Sequence, residues 1–418
     1  MSNSTGPLRI ETVDALRGFT LFGIILLHNI EHFDHYSSPE GQSYLLTLID
    51  LAIWKITVFL FAGKAYGIFA LLFGFTFYLQ YSRKNNSVLT FKARYLWRLS
   101  VLFLIGIFNT IFYPGDILAL YAVLGVSLLL VSDWNSKAIF VLAVILLLQP
   151  FLLLSLFQII NDPAYLPPNK MSDFYFNMVR TKAPLYTFSE KAIENLTLGK
   201  LAVVFWSLET GRIFKTIALF MIGLLLGRQK RFSYNEVNVR FWRRVLVISG
   251  LVFIPLFTFK SASTRIFMDE NLSGALRQVF NSWSNFALML VVLASFVLVY
   301  TKFDTFLSRF AVVGRMSLTN YVMQSIVGSF IYYGYGLGLY KYAGATASLL
   351  IGLISFILQY FFCRWWLRSH KHGPLESIWR WASSIWYPEP LSKPSVLPNL
   401  EAKAILVDKE QLNQNHTR

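Results

Sequence analysis

The chain of 418 residues contains one cysteine, Cys363, and few charged side chains. A single cysteine excludes an internal disulfide, so the sequence does not predict a disulfide-stapled secreted domain. Charged residues make up 14% of the chain, whereas a soluble domain has about a quarter. The GxGxxG, P-loop, CxxC and GxSxG motifs are absent, and no internal repeat is visible. The scarcity of charge excludes an ordinary soluble domain, and the missing motifs give no support to the nucleotide-binding and hydrolase folds that carry them.

The chain contains few charges and many long apolar runs. Hydrophobic residues make up 55% of the chain, and runs such as "VLAVILLLQPFLLLSLFQII" (141–160) are long enough to cross a hydrocarbon core of roughly 30 Å. We therefore expect an all-α, polytopic transmembrane bundle of about ten helices. The predicted spans are 15–32, 55–81, 97–113, 116–132, 137–160, 212–228, 243–259, 282–300, 317–339 and 345–367.

Lysine and arginine cluster in the loops that follow the second, sixth and eighth predicted spans, whereas residues 33–50 contain neither. The positive-inside rule then places both termini in the cytoplasm. The net charge of +16 is assigned to these loops and not to a nucleic-acid partner. We expect a transmembrane domain over residues 1–387 and a disordered cytoplasmic tail over residues 388–418.

The first apolar run, within "ALRGFTLFGIILLHNIEHFDHY" (15–36), carries an unusual polar stripe. Arg17 and His28 are eleven residues apart, so on a helix they share a face at a separation of roughly 16 Å. Asp14 lies one turn before Arg17, and His32 and His35 continue the stripe beyond His28. Asp14 and Arg17 form either an interfacial ion pair or part of a site. His28 is either a structural hydrogen-bonding group or a proton acceptor. The histidine spacing permits two metal ligands, but no acidic or cysteine partner accompanies them, so no metal site is predicted.

Other polar residues interrupt apolar runs. Asp116 is either a helix N-cap or a substrate contact. Asn320 and Gln324 lie one turn apart, either as interhelical hydrogen-bonding groups or as substrate contacts. Lys64, between two glycines, predicts a kink or break in the second span. Glu209 and Arg212, three residues apart, are expected to pair.

Six segments carry a resemblance to a known family. They are "RIETVDALRGFTLFGIILLHNIEHF", "KAYGIFALLFGFTFYLQ", "YPGDILALYAVLGVSLLL", "LFMIGLLLGR", "VGRMSLTNYVMQSIVGSFIYYGYGLGLY" and "HGPLESIWRW". Together they resemble the YeiB-like bacterial membrane proteins over nearly the whole chain, with the carboxy-terminal signature at about 228–387. The resemblance implies a multi-pass protein of the bacterial cytoplasmic (inner) membrane.

The YeiB-like proteins are in turn distantly similar to the transmembrane acyltransferase superfamily, whose acyltransferase family 3 members carry an arginine, ten residues and a histidine in the first helix. Arg17 and His28 match that spacing. The resemblance implies transfer of an acyl group from acyl-CoA, with no permanently bound cofactor, to an extracytoplasmic glycan or lipid-linked acceptor. Arg17 would meet the phosphate or pantetheine arm, and His28 would deprotonate the acceptor. The residues expected to contact substrate are Asp14, His32, Asp116, Asn320 and Gln324.

Two other functions remain open. A transporter or flippase for a small molecule or lipid-linked substrate would also use broken helices and an intramembrane charge such as Lys64. A non-catalytic membrane scaffold would use Asp14, Arg17 and His28 for structure alone.

Overall fold

The computed structural model describes residues 10–34, 39–82, 88–162, 165, 169–182 and 187–385. Every regular element in these residues is helical, as the apolar runs predict. The helices are α1 Glu11–Ile30, α2 Tyr44–Phe61, α3 Ala65–Tyr81, α4 Val88–Thr110, α5 Leu118–Leu124, α6 Val126–Val131, α7 Ser136–Leu147, α8 Pro150–Asn161, α9 Met171–Lys182, α10 Phe188–Glu194, α11 Lys200–Glu209, α12 Arg212–Arg228, α13 Glu236–Ile266, α14 Glu270–Tyr300, α15 Asp304–Gly314, α16 Ser317–Tyr332, α17 Ala345–Ser369 and α18 Pro374–Ser384. A π-helical turn, Asn195–Gly199, joins α10 to α11, and a 3₁₀ turn covers Leu339–Lys341.

Helix α1 is the centre of the bundle. It packs against α3, α15, α16 and α17, and 72% of its apolar window is buried inside the protein. The long helix α13 is the opposite case, with 6% of its window buried. Its exposed apolar side chains include Val247, Leu251 and Ile254. An exposed apolar helix surface of this size is typical of a helix that faces lipid.

Five helices of the described chain are long and apolar enough to cross a membrane, or seven if each of two bent pairs counts as one span. These lengths and compositions indicate a membrane protein. The expected number of about ten crossings is not confirmed. The predicted span 116–132 is divided between two short helices, α5 and α6, and the predicted span 317–339 ends as helix α16 at Tyr332. The cytoplasmic position of the termini stays a prediction.

Two helix breaks matter for the site, one inside the predicted span 55–81 and one directly before the predicted span 212–228. Residues 62–64 separate α2 from α3, where the glycines beside Lys64 predicted an interruption. Helices α11 and α12 meet at an angle of 71° across Thr210 and Gly211. The predicted tail at 388–418 and His35 lie outside the described residues.

Candidate functional site

A cavity of about 740 Å³ lies beside the carboxyl end of α1. Helices α2, α3, α11, α12, α13 and α14 enclose most of it, with contributions from the loop before α5 and from α9 and α16. Its volume is in the range of a small-molecule site. Unlike an ordinary apolar pocket, it is lined by several ionisable side chains. These are His28, Glu31, Asp34, Lys55, Lys64, Arg212, Lys215 and Lys260.

The two helix breaks bring cations to this cavity. Gly63 and Gly211 both have positive φ, 77° and 68°, a conformation that glycine adopts without steric cost. Lys64 and Arg212 follow these glycines directly, and each stands at the start of a 17-residue helix, α3 or α12. The first turn of a helix has backbone N–H groups without intrahelical partners and a positive dipole end. The local backbone therefore adds positive potential to that of the side chains.

Lys64, Arg212 and Lys215 form what we call the cationic cluster. Lys64 is 4% exposed and Lys215 is 5% exposed. The Lys215 ammonium donates one long hydrogen bond of 3.4 Å to the Ser282 carbonyl oxygen. None of the three forms an ion pair with a carboxylate in the described part of the chain.

Aromatic rings hold the guanidinium of Arg212. Its central carbon lies 4.2 Å from the centre of the Tyr66 ring and 5.0 Å from that of Trp206, so both contacts are cation–π contacts. Its Nε is buried and has no hydrogen-bond partner among the described residues. The expected pairing with Glu209 does not form, because the Glu209 carboxylate accepts hydrogen bonds from the backbone and hydroxyl of Ser172.

The cations of the cluster are close enough to repel one another electrostatically. The charged neighbours that act on Lys64 are Lys215 and Lys260, and the one that acts on Lys215 is Arg212. Glu31, one residue beyond the end of α1, is the carboxyl group that Arg212 influences. Burial raises the pKa of Glu31 to about 8, and Asp34 acts in the same direction. Arg212 acts in the opposite direction on this pKa, and Glu31 forms no ion pair with the cluster among the described residues.

His28 lines the same cavity, as its position on the polar stripe of α1 allowed. Its ring contacts those of Tyr113, at 4.7 Å between centres, and Phe33, at 5.5 Å. Its Nδ1 is buried without a hydrogen-bond partner in the described structure. Arg212 is close enough to act on it electrostatically. An imidazole in this position can exchange a proton with a molecule in the cavity.

Arg17 and Asp14 lie away from the cavity. Arg17 donates to Asp14 Oδ1 at 2.9 Å and to the Thr76 hydroxyl on α3. The structure therefore does not join Arg17 and His28 in one cavity, although both lie on α1. Catalytic roles for the pair stay a prediction.

His32 also lies outside the cavity lining. Its Nε2 is 3.0 Å from the Ser348 hydroxyl, and its ring stacks on that of Tyr332 with 4.8 Å between centres. No group of three metal-ligating side chains is found within the described ranges.

Asp116 is a buried carboxylate next to two residues that line the cavity, Gly115 and Ile117. Its oxygens accept hydrogen bonds of 2.8 Å from the Asn109 amide and from the Ala119 backbone N–H. The N-cap position of α5 is Ile117, so Asp116 stands one residue before the cap position and accepts a hydrogen bond from one N–H of the first turn. A substrate contact through Asp116 stays a prediction.

Asn320 and Gln324 connect helices. The Asn320 amide donates to the Val313 carbonyl at 3.0 Å and contacts Cys363 Sγ at 3.1 Å. The Gln324 amide donates to Gln359 Oε1 at 3.1 Å. Neither residue lines the large cavity, whereas Gln324 lines a second, mainly apolar cavity of about 250 Å³ between α1, α16 and α17. Substrate binding by these two residues stays a prediction.

Sequence reasoning did not identify Glu31, Lys215 or Tyr321 as residues of the site. A usable signal was present for one of them: Arg212 and Lys215 are three residues apart and share a face of α12 with no acidic residue on that helix. Two glycine–cation pairs, Gly63–Lys64 and Gly211–Arg212, were a second signal, because each interrupts an apolar region.

Comparisons with known proteins agree on one family. Residues 226–385 match the family described as "Protein of unknown function (DUF418)". The chain is 29% identical over 404 residues to the protein described as "Uncharacterized protein YxaH" of Bacillus subtilis (strain 168), covering 91% of this chain and 96% of the relative. It is 27% identical over 402 residues to "Uncharacterized protein YeiB" of Escherichia coli (strain K12), covering 89% and 95%. No solved structure matches the chain significantly. The chain is therefore similar to the YeiB-like bacterial proteins over nearly its whole length, and its carboxy-terminal part matches the DUF418 family.

Proposed function

We propose that the protein is an acyltransferase of the bacterial cytoplasmic membrane. It moves an acyl group from acyl-CoA to a hydroxyl or amine of a glycan or lipid-linked acceptor in the cavity that contains His28. The observation that carries the proposal is the environment of His28: the ring lines a large cavity, and its Nδ1 has no hydrogen-bond partner in the described chain. A polar side chain within an apolar helix is costly, which favours a functional role.

In the proposed reaction, a ring nitrogen of His28 accepts the proton of the acceptor O–H or N–H while the acceptor attacks the thioester carbonyl carbon. A new C–O or C–N bond forms, and the C–S bond breaks. The imidazolium then returns its proton to the departing thiolate, so the products are the acylated acceptor and free coenzyme A. Arg17 has no step in this scheme because it does not line the cavity.

Coenzyme A release tests the proposal. The purified protein in nanodiscs of bacterial polar lipids would be supplied with acetyl-CoA and palmitoyl-CoA, and the free thiol would be measured. Loss of a positioned general base typically costs 10²–10⁴-fold in rate, so we expect that range for His28→Ala. His370→Ala, at an exposed histidine beyond the end of α17, is the matched control and should keep the native rate. Equal rates for the native protein and His28→Ala, or no release from either donor, would contradict the proposal.

Transport of an anionic solute is the second candidate, and the paired helix breaks favour it. Broken helices whose amino ends face an anion are typical of secondary transporters, and α3 and α12 begin in this way at the cavity. A transporter would move a labelled anion into sealed vesicles without changing it covalently, and coenzyme A would not be released.

A further inference from the structure

We propose that the cationic cluster is a binding site for the phosphate group of a substrate, with Lys64, Arg212 and Lys215 as its ligands. This inference deepens the proposed function by naming a chemical group on the reactant, and it rests on that function only for the reactant's role. Binding itself requires no acyl transfer. The site therefore stands or falls on a separate measurement.

The absence of ion pairs is the first argument. Lys64 and Lys215 are buried almost completely, and no carboxylate pairs with either of them or with Arg212 in the described ranges. Like charges repel more strongly in a low-dielectric interior than in water. Cations gathered in this way are stable together when an anion lies between them, and a phosphate group supplies up to two negative charges at neutral pH.

The backbone gives the second argument. The left-handed glycines Gly63 and Gly211 end one helical segment and start the next at the cavity wall. Residues of both first turns, Lys64 and Tyr66 on one side and Arg212 and Lys215 on the other, line the cavity. Two helix amino ends that border one cavity are a favourable site for a phosphate.

The orientation of Arg212 gives the third argument. Tyr66 and Trp206 contact its guanidinium as cation–π partners, and its buried Nε–H has no hydrogen-bond partner among the described residues. Fixed N–H groups of a guanidinium can donate two parallel hydrogen bonds to phosphate oxygens, which ammonium groups cannot do. Because Arg212 also acts electrostatically on His28, a phosphate bound here would hold its substrate close to the proposed base.

A melting-temperature titration tests the site and separates two sources of phosphate. The native protein in phosphatidylcholine nanodiscs would be titrated with coenzyme A, with pantetheine as the phosphate-free counterpart, and with inorganic pyrophosphate. A parallel sample would use nanodiscs that contain phosphatidic acid and no soluble ligand. We expect a saturable rise in melting temperature with coenzyme A but not with pantetheine if the source is soluble, and a rise with phosphatidic acid alone if the source is a lipid.

Variants assign the effect to residues. Lys64→Gln and Arg212→Gln should raise the dissociation constant by about tenfold or more, since each variant loses a charge-assisted hydrogen bond. Arg212→Lys keeps the charge but loses the planar donor group, so we expect an intermediate loss. Lys137→Gln, at an exposed lysine outside the cavity, should bind as the native protein does.

The melting temperature of each variant without ligand shows whether a loss of binding reflects a loss of folding. Lys64→Gln removes a buried charge from a repulsive group, so the empty variant should melt at the native temperature or above it. No stabilisation by coenzyme A, pyrophosphate or phosphatidic acid, or equal binding by the cluster variants, would overturn the inference. If phosphate binds but acyl-CoA is not cleaved, the proposed function fails alone. If cleavage depends on His28 while the cluster variants bind normally, the phosphate site fails alone.

Discussion

His28 and Arg17 show what a sequence pattern determines at the scale of single residues. Their spacing correctly indicates one face of one helix, because helical periodicity alone fixes that relation. It does not indicate what packs against each part of the face. Thr76 of α3 meets Arg17, whereas the broken start of the same helix leaves open space beside His28. The cavity therefore depends on neighbours that no local pattern encodes.

The ion pair of Arg17 gives a prediction at this scale. Asp14 is 4% exposed, so Arg17→Gln removes the 2.9 Å ion pair that Arg17 forms with a buried carboxylate. We expect a loss of about 1–3 kcal/mol in the free energy of unfolding, with an unchanged KM for acyl-CoA in the thiol-release assay. A higher KM at native stability would instead assign Arg17 to donor binding, as its spacing relative to His28 implied.

At the scale of helices, strongly apolar segments were predicted best. The span 212–228 coincides with α12, and the break near Lys64 occurs where two glycines flank it. Helices α9 and α10, in the region 161–200, were missed because they lack an apolar run long enough to be recognised. Phe176 of α9 nevertheless lines the cavity. Hydropathy alone therefore did not predict part of the cavity wall.

The crossing of α3 and α12 gives the prediction for this scale, because these two helices supply the whole cationic cluster. A Cβ at Gly223 would overlap the carbonyl oxygen of Leu71, while a Cβ at Gly250 on α13 would meet open space. Gly223→Ala should therefore separate the helices, with a loss of about 1–3 kcal/mol in the free energy of unfolding and weaker pyrophosphate binding. The matched variant Gly250→Ala should be neutral or slightly stabilising, since alanine favours the helix. Equal melting temperatures for the two variants would show that the close approach is unimportant.

At the scale of the whole molecule, composition determined the class of protein and little of its interior. Scarce charge and long apolar runs indicated an all-helical membrane bundle, because those quantities sum over many residues. The number of crossings was harder to predict. Helix α4 carries several basic residues, and the bends at Gln149 and Gly211 leave two pairs of helices that count as either one span or two. An apolar run gives the length of a segment in residues, whereas a membrane crossing also depends on the direction of the helix.

The arrangement of the molecule leads to one central claim: a single cavity holds a proton acceptor, His28, beside a phosphate site made by Lys64, Arg212 and Lys215. The most direct test is a density map of the protein in nanodiscs with a non-transferable thioether analogue of acetyl-CoA. The account predicts a phosphate of the analogue between the two lysines and Arg212, and its carbonyl carbon next to the His28 ring. An analogue bound near Arg17, or a cavity filled by lipid chains with no phosphate at the cluster, would contradict it.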